Sequence, residues 1–162
     1  MAISVGDKLP GGELFKMGEK GPEAKDVETL TKGRKVVLFG LPAAFSGTCT
    51  SAHLPSFMRT REGFAGKGVD EVVCVSVNDA FTMGAWDEQM GASDAGIEML
   101  GDASGTFTKA LGLDFDLPAA GLFGRSQRYA MYVEDGVVKQ LNIDEQAGVC
   151  ERSAGETLLD QI

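Results

Sequence analysis

Apolar positions along the chain fall into short unbroken runs separated by longer mixed segments. The first strong run is Val36-Val37-Leu38-Phe39, inside Lys35–Gly40. A short continuous apolar run predicts a strand buried on both faces, and Leu41-Pro42 ends it. Glu71–Asn78, rich in valine, predicts a second such strand, and Ile97–Gly101 a third. Between them the pattern turns helical over Cys49–Phe64 and Ala80–Met90. Pro55 is expected to kink the first of these helices. Ser104–Leu111 predicts another helix, with Gly112 placed to end it. Arg128–Val133 and Val137–Ile143 read as strands around Glu134-Asp135-Gly136. The Asp-Gly pair there is a hairpin-turn signal. Ala154–Ile162 closes the chain as a helix, and residues 11–33 form a polar, loop-rich opening with weak strands.

Strands alternating with helices predict an α/β fold, a parallel sheet with helices on its faces. The late hairpin adds antiparallel pairing, so the sheet is mixed. A length of 162 residues is that of one domain, expected to span 1–162. Acidic residues outnumber basic ones by 24 to 15, for a formal charge of -9. That balance argues against nucleic acid and against anionic lipid as partners. No apolar run approaches the roughly 20 residues needed to cross a bilayer. Met1–Pro10 lacks the basic start and apolar stretch of a secretory signal. The expected compartment is cytoplasmic, with a removed organelle-targeting segment left open.

Three cysteines, Cys49, Cys74 and Cys150, are too few and too widely spaced for a disulfide framework. Cys49 follows a buried strand and opens a predicted helix. Free backbone N–H groups and the helix dipole favour an anion at such a place, and a thiolate is an anion and the reactive form of cysteine. Ser46, three residues earlier, can offer a hydroxyl to the sulfur or to a bound oxygen, and Pro42 can stiffen and shield the loop. The other reading of Cys49 is a small buried cysteine packed near a helix start. Position leaves the two readings level.

The stretch Pro42 to Pro55 resembles the active-site segment of peroxiredoxins, Pro-x-x-x-Thr/Ser-x-x-Cys, with Pro42, Ser46 and Cys49 at matching spacing. His53-Leu54-Pro55-Ser56-Phe57 is similar to the type II group. So are Gly68 to Cys74, Ser76 to Phe81 and Arg125 to Ala130, in order along nearly the whole chain. The resemblance implies a thioredoxin-like fold and a Cys49 thiolate that reduces hydrogen peroxide and alkyl hydroperoxides, leaving a sulfenic acid. It implies that Arg128 and the Ser46 hydroxyl assist. Arg125 nearby is the weaker candidate for the arginine, and its favoured reading is a solvated loop charge. It implies a homodimer, no metal, flavin or haem, and re-reduction by glutathione with glutaredoxin or by thioredoxin. Ser46 stands where Thr is usual, Ala43 where Gly is common, and Gly47-Thr48 where a Pro-containing pair is common. A looser loop before Cys49 is expected.

Cys74 lies in a buried-type strand, where core packing is the expected role. A resolving role there would need local unfolding. Cys150 lies in the loop Glu145–Ser153, where atypical two-cysteine relatives carry a resolving cysteine, about two residues away. Both remain candidates. His53, four residues after Cys49, shares its helix face. It is expected to pack near the active site or a subunit boundary rather than to act as a Cys–His base. No Cys-x-x-Cys pair supports zinc or dithiol exchange. A non-catalytic thioredoxin-like binding or chaperone module is the rival from another class.

Overall fold

A computed structural model describes residues 1–162. The chain opens with a hairpin of β1 (Glu13–Gly18) and β2 (Gly21–Asp26), then a short helix α1 (Val27–Thr31). Strand β3 (Lys35–Leu41) leads through a loop into a π-helical turn, Cys49–His53, and helix α2 (Leu54–Gly66). Next come β4 (Glu71–Ser76), α3 (Ala80–Met90), β5 (Ile97–Gly101) and α4 (Thr106–Leu111). A small hairpin of β6 (Asp114–Leu117) and β7 (Leu122–Ser126) follows. Strands β8 (Arg128–Glu134) and β9 (Val137–Asp144) and helix α5 (Gly155–Gln161) complete it.

Seven strands form one sheet in the order β2-β1-β5-β4-β3-β8-β9. β3, β4 and β5 run parallel, and β8 returns antiparallel to β3. The mixed thioredoxin-like α/β sheet predicted above is therefore present. Alternate residues of β3 enter opposite cores, as strand geometry requires. Val37, Phe39 and Leu41 pack with α2, α3 and α5, through Leu54, Phe57, Trp86 and Leu158. Val36 and Leu38 pack with Val27 of α1 and with Phe107 and Leu111 of α4. The β8–β9 turn matches its sequence signal, with Asp135 at φ 48° and Gly136 at φ 78°.

Two expectations need correction, and one element was not expected. The helix predicted over Cys49–Phe64 is two segments, a π-turn and then α2. Pro55 does not kink it, because Pro55 sits in the first turn of α2, where a missing N–H costs no helical bond. The β6–β7 hairpin was not predicted, since Asp114–Ser126 has neither a long apolar run nor clean alternation.

Candidate active site

The site lies where β3 ends and the π-turn begins. Pro42 is buried at that strand end. Asn78, just past β4, accepts from the backbone N–H of Ala44 (3.1 Å) and so fastens the loop. Phe45 has a φ of 67°, the left-handed region, which a bulky residue adopts only where its surroundings impose it. Cys49 then opens the π-turn, and the Leu54 N–H donates to its carbonyl across the wider turn. Such turns are uncommon and concentrate at functional sites.

The Cys49 sulfur is fully buried and takes a hydrogen bond from Arg128 Nη2 at 3.3 Å. Arg128 opens β8 and is 1% exposed, so its charge acts in a dry setting. Nη2 also donates to the Ala147 carbonyl at 2.7 Å, and Nη1 meets His53 Nδ1 at 3.0 Å. Arginine only donates, so Nδ1 carries no proton. His53 Nε2 lies 3.0 Å from the Ser153 carbonyl, which only accepts, so the ring proton is on Nε2. His53 is thereby fixed as one neutral tautomer. Burial first, and then the Arg128 charge, push its pKa down to about 3. Phe39 and Phe57 stand against the ring edge-on, at 5.1 and 5.6 Å between centroids. A cavity of about 340 Å³ opens beside Arg128, bounded by Phe115, Gln127, Asp144, Glu145 and Ala147.

The loop after β9 closes over this constellation. Thr48 Oγ1 donates to the Gly148 carbonyl at 3.0 Å. Asp144 accepts from Ser153 Oγ (2.6 Å) and from the N–H groups of Glu151, Arg152 and Ser153 (3.0, 3.1 and 2.9 Å). Burial pushes the Asp144 carboxyl up, but these donors together outweigh it and hold it below the ordinary value. Cys150 is half-buried in the same loop, and burial pushes its thiol up against the opposing pull of Arg128.

Of the residues predicted from sequence, the fold brings Cys49 and Arg128 together, and Pro42 is buried at the end of β3. The Ser46 hydroxyl donates to the Ala43 carbonyl at 2.7 Å and not to the Cys49 sulfur, the first of its two expected partners. Cys74 lies in the core, on β4 between Phe39 and Met99, and burial pushes its thiol well above the ordinary value. Arg125 is not a solvated charge: it is half-buried and ties β7 to the Val77 carbonyl at 2.7 Å. His53 packs at the active site, the first of its two predicted places. Its bond to Arg128, and the parts played by Asp144, Ala147 and Ser153, were not foreseen. For His53 the four-residue spacing from Cys49 was a usable signal. Ser153 lies 100 residues further on, and nothing local points to it.

Residues 4–159 match the family model described as Redoxin. The chain belongs to the peroxiredoxins, in the type II group. It is 46% identical over 96% of its length to peroxiredoxin-2E-2, chloroplastic, of Oryza sativa subsp. japonica, and covers 71% of that protein. It is 50% identical to peroxiredoxin-2F, mitochondrial, of Arabidopsis thaliana, over 81% of this chain and 65% of the relative. The structure of reduced Prx3 from Vibrio vulnificus in complex with H2O2 superposes with a TM-score of 0.91 at 43% identity, covering 98% of each chain. As a peroxiredoxin the protein is a thiol-dependent peroxidase, an antioxidant oxidoreductase that takes a peroxide and a thiol reductant. The non-catalytic rival is thereby set aside.

Proposed function

We propose that Cys49 is the peroxidatic thiol of this peroxiredoxin, within one domain spanning 1–162. The observation that carries the reading is the 3.3 Å hydrogen bond from the buried Arg128 guanidinium to the Cys49 sulfur. The thiolate attacks the nearer peroxide oxygen, an S–O bond forms and the O–O bond breaks. The leaving oxygen takes a proton and departs as water or an alcohol, and Cys49 becomes a sulfenic acid. Charge developing along the O–O bond needs preorganised donors. Arg128 supplies one, and a guanidinium stays charged at every relevant pH. Ser46 supplies a second once its hydroxyl turns from Ala43, and Pro42 shields the sulfur. The substrates are hydrogen peroxide and small alkyl hydroperoxides.

An external thiol returns the two electrons: glutathione with glutaredoxin, or thioredoxin. The burial of Cys74 and the raised thiol pKa of Cys150 favour this over an internal disulfide. Three free cysteines fit a reducing intracellular compartment, cytoplasmic or organellar, like those named for the plant relatives. Two copies associate as a homodimer.

Mass spectrometry after one equivalent of peroxide tests the site and the route together. A gain of one oxygen at Cys49, replaced by a mixed disulfide when glutathione is added, is the expected result. A Cys49–Cys150 disulfide would make the internal route the true one. If Cys49→Ser consumed peroxide at the wild-type rate, the assignment of Cys49 would fail.

A further inference from the structure

Arg128 has no carboxylate partner: the four ion pairs of the molecule all involve other residues. Two neutral acceptors aim it instead, the Ala147 carbonyl and His53 Nδ1. Both depend on one segment, the strap 145–153 between β9 and α5. Ala147 belongs to the strap, and the Ser153 carbonyl at its end orients the His53 ring. The strap is in turn folded around Asp144, which is 5% exposed and accepts its four hydrogen bonds from Glu151, Arg152 and Ser153. Asp144 is the cross-strand partner of Arg128, yet its carboxylate is engaged by the strap amides.

That arrangement has a physical logic. A carboxylate in contact with Arg128 would orient it but also neutralise much of its field at the sulfur. A carboxylate one layer back, with its charge taken up by backbone donors, orients the guanidinium through neutral groups and leaves its charge for Cys49. We propose that Asp144 is a positioning residue for Arg128, acting through the strap and His53 to hold Nη2 on the Cys49 sulfur. Its hydrogen bonds all go to the strap and none to the Cys49 sulfur. The proposal rests on the roles given above to Cys49 and Arg128.

The test is a double-mutant cycle read by stopped-flow, as the rate at which the fully reduced protein reacts with hydrogen peroxide. Asp144→Asn places an amide N–H2 among donors and should slow the reaction about tenfold, the equivalent of one misplaced charge-assisted hydrogen bond. Ser153→Ala removes the hydroxyl that makes the 2.6 Å bond to Asp144 while keeping both backbone groups, and should slow it about threefold. In an Arg128→Lys background each change should cost no more than about twofold, because residues acting through one another are not additive. Equal losses in both backgrounds would show a general structural effect and overturn the proposal, as would no loss in the wild-type background. Should Asp144→Asn fail to fold by circular dichroism, the Ser153→Ala cycle decides alone. A wild-type rate for Arg128→Lys by itself would instead sink the role of Arg128, and this inference with it.

Discussion

At the residue scale the feature of most consequence is a neutral histidine locked between an arginine and a carbonyl. An unfolded His53 takes up its proton near pH 6.5, whereas the folded one does so only near pH 3. Between those values the unfolded chain binds more protons, so folded stability is complete above pH 6.5 and falls as pH drops toward 3. The loss from this one group is on the order of 5 kcal/mol across that window. Asp144 acts in the same direction at the acid end, since its folded carboxyl is held below the ordinary value. Urea titrations from pH 7 to pH 4 should show a steadily falling midpoint. His53→Gln keeps an acceptor and a donor without the titration, and should flatten most of that dependence. His53→Ala leaves both Arg128 Nη1 and the Ser153 carbonyl unpaired in a dry aromatic setting. It should cost about 2–4 kcal/mol in the same titration at pH 7. Arg128→Lys loses the fork that reaches sulfur, His53 and Ala147 at once, and should slow peroxide reduction at least about tenfold.

At the element scale, α5 matters because it anchors the far end of the strap. It packs closely on α2 through Gly155, whose N–H donates to Ser56 Oγ at 2.9 Å. A Cβ at position 155 would meet the Ser56 carbonyl and Thr60 Oγ1, each at 2.5 Å. Gly155→Ala must therefore push α5 off α2, at a cost of about 1–3 kcal/mol by denaturant unfolding. The same displacement shifts Ser153, two residues earlier, so peroxidase activity should fall with stability. The elements themselves were largely legible from sequence. Strands β3, β4 and β5 showed as apolar runs because they are interior strands, and β8 and β9 showed as a pair around their Asp-Gly turn. The π-turn was not legible, because a one-residue widening of a helical turn leaves the side-chain pattern almost unchanged. The β6–β7 hairpin was not legible either, because its residues are exposed or half-buried except Ser126 and carry no alternating burial pattern.

At the scale of the whole molecule, large apolar side chains lie exposed near the active-site end of the sheet. Phe45 follows β3 and is 45% exposed, and Phe81 follows β4 and is 66% exposed. Phe123 and Leu117, at 63% and 39%, sit on the hairpin that Arg125 ties to Val77 just past β4. Exposed apolar groups gathered at one end of a molecule mark an interaction surface, and the proposed homodimer would use it. Phe81→Asp together with Phe123→Asp should move the protein from dimer to monomer in light scattering, while a stable fold persists in circular dichroism. A wild-type mass for this double variant would exclude that face as the dimer contact.

The sequence by itself determined the order of the main strands and helices, the two-sided burial of β3, and the place of Cys49 at a helix start. These follow from periodicities of a few residues and from motif spacing within one segment. The resemblance pointed to Arg128, but only the tertiary structure showed its Nη2 on the Cys49 sulfur from 79 residues away, a neutral His53, and a strap fastened by Asp144 that holds both. Such contacts are set by strand register and loop closure across the whole chain, and no local pattern of residues encodes them.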